Sequence, residues 1–250
     1  DVLYKGTGIR IRGTMGHILC SNRWVMSPAL LQGIRQKNKK VQGGVVLEPC
    51  IGLYRNPVLY FDFRSFYPSI MIHDNVSPEL IDVNGKLDTK RTGLGLVSQV
   101  AQYLLKRRSL VRGLKRTLNS VYGHLGSHHN SGPLGHVGCF SHVTSRGREL
   151  HKKVRQYIQD SFSNLKLIYG DTDSFFFECQ DASCDVLKLG KDIIQKVHEK
   201  VFPDSPIKLK FEGVFNEFLL LGKKSYCGEF LEYGNTTAAS VIIALTEAWE

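Results

Sequence analysis

Two aspartates stand two residues apart in "LKLIYGDTDSFFFE" (165–178), between two apolar runs. Leu165, Leu167, Ile168 and Tyr169 read as one strand and Phe175, Phe176 and Phe177 as the next, with Gly170 and Asp171 supplying the turn between them. A hairpin that ends in carboxylates places negative charge where a sheet meets solvent. Aspartate is also a good turn residue, so the pair alone leaves a structural role open. A third carboxylate, Asp62, closes the apolar run "VLYFDF" (58–63) in the same way. If the two strand ends are neighbours in one sheet, three acids converge. Clustered carboxylates repel one another unless a cation sits between them. Hard divalent cations such as Mg²⁺ take a couple of carboxylates plus phosphate oxygens. Two such ions can activate an attacking oxygen and stabilise a leaving pyrophosphate.

The complementary charge comes from a helical pattern. Arg108, Arg112, Lys115, Asn119 and Tyr122 are spaced 4, 3, 4 and 3 residues apart. At about 100° per residue they share one face of a helix. Two arginines and a lysine in a row can grip a triphosphate, and an asparagine and a tyrosine beyond them suit a sugar and a base. The plainer alternative is a solvated basic face.

These side chains need elements to position them. The run 58–63 reads as a buried strand, and "FYPSIMIHDN" after it as a short helix. Residues 77–95 look like a connection. Val97, Val100, Leu104, Val111, Leu114, Leu118 and Val121 predict a helix from near Leu96 to Tyr122. Further helices fit 143–162 and 185–201, and "IKLKFEGVFNEFLLL" a strand followed by more packed structure. Residues 1–57 mix short strand-like runs with the basic stretch "RQKNKK". The expected class is α+β, an antiparallel sheet backed by helices.

The whole chain sets outer bounds. Its 250 residues can bury a substantial core, and a 42% hydrophobic content without any run of about 18 apolar residues predicts no membrane span. Thirty-three basic against 23 acidic residues give a net charge of +10, which favours an anionic partner such as nucleic acid. Six scattered cysteines, with no pair at zinc-knuckle spacing, read as reduced thiols of an intracellular protein. "GSHHNSG" reads as a loop rather than a metal site. The first residue is Asp1, not methionine, and a region of a larger polypeptide is expected.

Four segments carry a specific resemblance. "DFRSFYPSI" (62–70), "KRTLNSVYG" (115–123), "YGDTDS" (169–174) and "KKSYCG" (223–228) are similar, in this order, to the palm and fingers motifs of family B DNA polymerases. "GGVVLEPCIGLYRNPV" and "VTSRGREL" are lesser matches, and the phrasing near "DFRSFYPSIMIHDNVSPEL" is closest to large DNA viruses, herpesvirus-like ones included. The resemblance implies a DNA-directed DNA polymerase core working on primer–template DNA and dNTP with two Mg²⁺ ions, Mn²⁺ being a substitute. A processivity factor is a further implied partner, and the implied location is intracellular, in the host nucleus for a herpesvirus-like enzyme.

The resemblance also implies roles. Asp62 and Asp173 would hold both metals, with the Phe63 carbonyl as a further ligand, and Asp171 would complete the catalytic acids in a looser role. The backbone around Ser65 and Phe66 would cradle phosphates, and Tyr67 would lie under the deoxyribose and obstruct a ribose 2′-hydroxyl. Lys115, helped by Arg108 and Arg112, would bind the triphosphate. Asn119 and Tyr122 would line the nascent base pair. Tyr122, Gly123, Lys223, Lys224 and Tyr226 would contact DNA, the last three at the primer end. Glu212 is an extra carboxylate in reach of the metals or else a surface residue.

Implied domains are a leading segment to the palm (1–57), a first palm part (58–95), shortened fingers (96–118), a second palm part (119–228) and a truncated or atypical lead into a thumb (229–250). The departures are short fingers, in which residues 96–122 either turn near Leu110 to Gly113 as a very short helix pair or run through as one helix, and Ser225 where the family usually has arginine. They keep open a catalytically impaired, nucleic-acid-binding module. A reverse transcriptase is disfavoured because the aspartates after the tyrosine are not adjacent.

Overall fold

The computed structural model describes residues 7–21, 42–81, 87–88, 93–107, 118, 121–123, 125–126, 136–181, 183–233 and 241–246. The chain divides into two units, Asp1–Gly43 with Ser65–Gly147, and Gly44–Arg64 with Arg148–Glu250. Mixed helices and an antiparallel sheet bear out the α+β class. No described helix is long and apolar enough to cross a membrane.

The first unit is helical. Its elements are α1 (Thr7–Ser21), α2 (Phe66–His73), α3 (Leu96–Arg107) and the start of α4 (Val137–Ser161). Helix α3 buries Leu96, Val97, Val100, Ala101 and Leu104, a stripe at helical spacing. Its first turn has N–H donors with no partner inside the helix to satisfy. Leu96 donates to Glu79 Oε1 at 2.6 Å and Val97 to Ser77 Oγ at 2.9 Å, while Gly95 donates to Asn75 Oδ1 at 2.7 Å. The segment after α2 therefore caps α3 with alternate polar side chains. Helix α1 corrects a sequence expectation, since Thr7–Ser21 is helical rather than strand-like. Ile11 and Ile18, two helical turns apart, are buried, and His17 meets Tyr103 of α3 with ring centroids 6.2 Å apart. Packing of one apolar stripe outweighs the local alternation of Ile9 and Ile11.

The second unit is built on a sheet of β1 (Gly52–Tyr54), β2 (Val58–Phe63), β3 (Leu165–Asp171), β4 (Ser174–Cys179), β5 (Leu209–Gly222), β6 (Ser225–Glu232) and β7 (Val241–Thr246). The order is β3-β4-β2-β5-β6-β7, every pair antiparallel, and β1 pairs with β5 beyond β2. Strand β5 is 14 residues long. One flank is shared by β2 and β1 and the other is taken by β6.

Both sheet faces bury aromatic rings, which explains the near-continuous apolar runs in β2 and β4. On one face Phe61 meets Phe211 at 5.3 Å and Phe177 at 6.2 Å, and Phe63 meets Phe175 at 5.9 Å. Here the sheet is backed by α4, through His151 on Phe175, and by α5 (Val186–Lys200), whose Gly190 lies against Phe211. On the other face Tyr60 stacks on Phe176 at 4.7 Å, among Tyr169, Phe215, Phe218, Tyr226 and Phe230. Each fully buried phenylalanine contributes about 1.5–3 kcal/mol.

Helix α4 starts before the expected residue 143, and α5 lies within the expected 185–201. The stretch read as one helix to Tyr122 is helical through Arg107, and residues 118, 121–123 and 125–126 are helical too. Residues 108–117 and 119–120, with "RQKNKK" and most of "GSHHNSG", lie outside the described residues.

Candidate active site

Strand register brings the aspartates together within the second unit. Asp62 at the end of β2 pairs with Ser174, the first residue of β4. Asp171 at the end of β3 pairs with the same Ser174 from the other side. Asp173 sits in the turn just before it, and the Phe63 N–H donates to the Asp173 carbonyl at 2.8 Å. Adjacent strands lie about 4.8 Å apart, so three carboxylates occupy the tips of three neighbouring strands. Because strand side chains alternate, Asp62 shares a face with Tyr60 and Asp171 with Tyr169. That is the face opposite α4 and α5.

The turn differs from the sequence expectation. Gly170 and Asp171 are still on β3, and the left-handed residue is Thr172, at φ 48°. Thr172 is held there on two sides. Its N–H donates to the Val45 carbonyl at 2.5 Å, and its Oγ1 to Asp171 Oδ1 at 2.9 Å. Gly170 matters for room instead: a Cβ there would lie 3.0 Å from Leu47 Cδ1 and 3.1 Å from the Ser174 carbonyl.

The electrostatics are those of an acidic patch with a basic rim. Burial, then the charges of Asp62, Tyr226, Glu212 and Asp173, pushes the Tyr60 phenol well above its ordinary range. Burial likewise raises Tyr226 to about 12, with Tyr169, Asp171 and Asp62 adding to it. Both phenols stay protonated. The β5–β6 turn brings the cations. Lys224, at φ 56°, places its Nζ 4.0 Å from Asp171 Oδ2, and its N–H donates to the Tyr169 hydroxyl at 2.9 Å. Lys223 pairs with Glu48. Glu212 is ion-paired with Lys210 at 2.6 Å.

Among the described residues, no group of three or more His, Cys, Asp or Glu side chains is arranged to hold a metal by itself. The donor set suits Mg²⁺ nonetheless. That ion is bound through one or two carboxylates plus substrate phosphates, not by an all-protein cage.

Other expected site residues belong to the first unit. Ser65 has φ 49° and precedes α2, and its carbonyl accepts from Ser69 N–H at 2.9 Å. Phe66 and Tyr67 form the first turn of α2, their rings 5.7 Å apart. Tyr67 lies 4.2 Å from Tyr122, and Tyr122 stacks on Phe140 at 5.2 Å. Burial raises the Tyr122 phenol. Gly123 follows Tyr122, and among the described residues nothing lies within 4 Å of where its Cβ would stand. Arg108, Arg112, Lys115 and Asn119 lie outside the described residues.

Sequence reasoning missed a polar cluster in the same unit. Asp74 receives His73 Nδ1 at 2.6 Å, His142 Nε2 at 2.8 Å and Arg146 Nε at 3.6 Å. It also missed His151 beneath the hairpin. Neither carries a local signature.

Comparison with known proteins accords with this geometry. The sequence matches the family described as DNA polymerase family B over residues 1–109 and 99–242. It is 32% identical over 219 residues to the DNA polymerase alpha catalytic subunit of Drosophila melanogaster, covering 76% of this chain and 14% of that one. Identity is 28% over 239 residues to the DNA polymerase delta catalytic subunit of Plasmodium falciparum, covering 76% and 22%. It is 29% over 266 residues to the DNA polymerase of guinea pig cytomegalovirus, covering 82% and 23%. The chain thus spans less than a quarter of the length of these three relatives, and the eukaryotic subunits are as similar to it as the viral enzyme.

Proposed function

The chain belongs to DNA polymerase family B, and from that premise we propose that it carries the nucleotidyl-transfer site of a DNA-directed DNA polymerase acting inside the cell. The observation that supports this most is the common pairing of Asp62 and Asp171 with Ser174, next to Asp173. In this reading Asp62 and Asp173, with the Phe63 carbonyl, hold two Mg²⁺ ions. Bound there, such ions would supply Lewis acidity toward the primer 3′-hydroxyl and positive charge for the triphosphate and departing pyrophosphate.

The chain's own groups do the rest. Asp171, braced by Thr172 and near Lys224, shapes the negative field without needing to be a full ligand. The main chain around Ser65 and Phe66 receives phosphate oxygens, and Tyr67 lies under the sugar and excludes a ribose. Lys115, Arg108 and Arg112 neutralise charge on the triphosphate. Asn119 and Tyr122 border the new base pair. Gly123 follows the DNA, and Lys223, Lys224 and Tyr226 hold the primer end. Template pairing selects the base, while protein contacts to the backbone set register. On the domain level, residues 58–95 and 119–228 make up the palm and residues 96–118 the shortened fingers.

Primer extension with Mg²⁺ tests this. The 250-residue chain extends a primed DNA template, and Asp173→Asn lowers the rate by about three orders of magnitude or more, as expected for loss of a metal ligand. Equal extension by both proteins would remove Asp173 from the chemistry. Tight DNA binding without extension by either would favour the silent-module reading.

A further inference from the structure

Helix α4 carries His151 to the helix-backed side of the aspartate hairpin, within the second unit. The imidazole is 1% exposed. It stacks on Phe175 with centroids 4.2 Å apart and planes at 27°. Its Cε1 lies 3.4 Å from where a Cβ on Gly170 would stand, so the glycine leaves the space the ring approaches. Among the described residues, Nε2 is buried with no hydrogen-bond partner. The other side of the ring hydrogen-bonds the Ser174 main chain, while burial holds the imidazole neutral, down to about 4.

As packing, this is a poor choice. A phenylalanine or leucine would fill the same space without stranding a polar atom, and buried polar groups that lack partners call for a reason. Among the described residues, the one contact an apolar side chain cannot reproduce is the bond to Ser174. Ser174 is also the residue with which both Asp62 and Asp171 are in register, and it directly follows Asp173. We propose that His151 is a positioning residue for the carboxylate set. By fixing the Ser174 main chain it holds the hairpin that bears Asp171 and Asp173 in place beside Asp62, so that the acids present one divalent-cation site. The inference rests on the reading of these aspartates as metal ligands. Groups behind metal ligands commonly change affinity by 10- to 100-fold when removed.

Mn²⁺ binding to the 250-residue chain, followed by the electron paramagnetic resonance signal of the free ion, tests it without requiring turnover. His151→Phe keeps the stack and the volume and removes the bond. It melts at or above the parent's temperature, yet binds Mn²⁺ about tenfold more weakly. His151→Asn keeps a hydrogen-bonding group near Nδ1 and recovers most of that affinity. His151→Leu is the second apolar variant should the phenylalanine not fold. Parent-like Mn²⁺ binding by the apolar variants overturns the proposal, and so does an asparagine variant as weak as they are. Asp173→Asn tells the two failures apart. If it loses Mn²⁺ while His151→Phe does not, only the role of His151 falls. If it too binds like the parent, the metal assignment falls and takes this role with it.

Discussion

Asp74 and the hairpin aspartates show two ways for a carboxylate to live in this protein. Burial works against the charged Asp74, but hydrogen bonds from His142 and His73 and the Arg146 charge outweigh it and hold its carboxyl below the usual range. A depressed folded-state pKa contributes stability that is fully present above the unfolded value and lost as pH falls through the folded one. The window therefore lies below about pH 4. Asp74→Asn should cost about 1–2 kcal/mol at pH 7. In urea denaturation that gap should narrow as pH drops below about 4, and a constant gap would remove the ion pair as its cause. At the hairpin it is burial first, with the nearby acids adding to it, that raises the Tyr60 and Tyr226 phenols. The aspartates were legible because they stand at the ends of apolar runs. Asp74 and His142 are 68 positions apart in sequence, so no spacing announces them. His151 looks like any lone histidine on an apolar helix face.

Among the elements, β4 is the one on which the site depends, since it pairs with both strands that end in aspartate. Its hairpin was readable from local pattern, but its register with β2 was not, because register is set by packing of distant residues such as Tyr60 on Phe176 and Phe61 on Phe177. The turn was misplaced for a similar reason: Thr172 takes the left-handed backbone through a contact to Val45, which no local rule reports. The long β5 was foreseen as a strand, though not its bulge beside Tyr60. Gly213 sits at that irregularity with φ +156°, and a Cβ there would lie 2.1 Å from the Leu231 carbonyl and 2.8 Å from Phe230 Cζ. Gly213→Ala should therefore destabilise by about 3 kcal/mol. Gly222→Ala, where among the described residues nothing stands within 4 Å of the new Cβ, is the control. Its cost in urea denaturation should stay near that of an ordinary surface change, and equal losses at both positions would contradict the account of the bulge.

Across the whole molecule, the net charge of +10 and the acidic sheet tips serve different ends. Broad positive charge attracts a polyanion without regard to sequence, while in the proposed function the small negative cluster is the seat of divalent cations. Composition made the first legible, and order of motifs made the family legible before any contact was known. Assembly of the acids needed the sheet itself. The central claim is that Asp62 and Asp173, far apart in sequence, serve the same ions. Mn²⁺ binding in the presence of a dNTP and primed DNA, compared for Asp62→Asn, Asp173→Asn and the double variant, tests it most directly. Shared ions predict that either single change removes most binding and that the double change removes little more. Losses that simply add, or parent-like binding by either single variant, would contradict it.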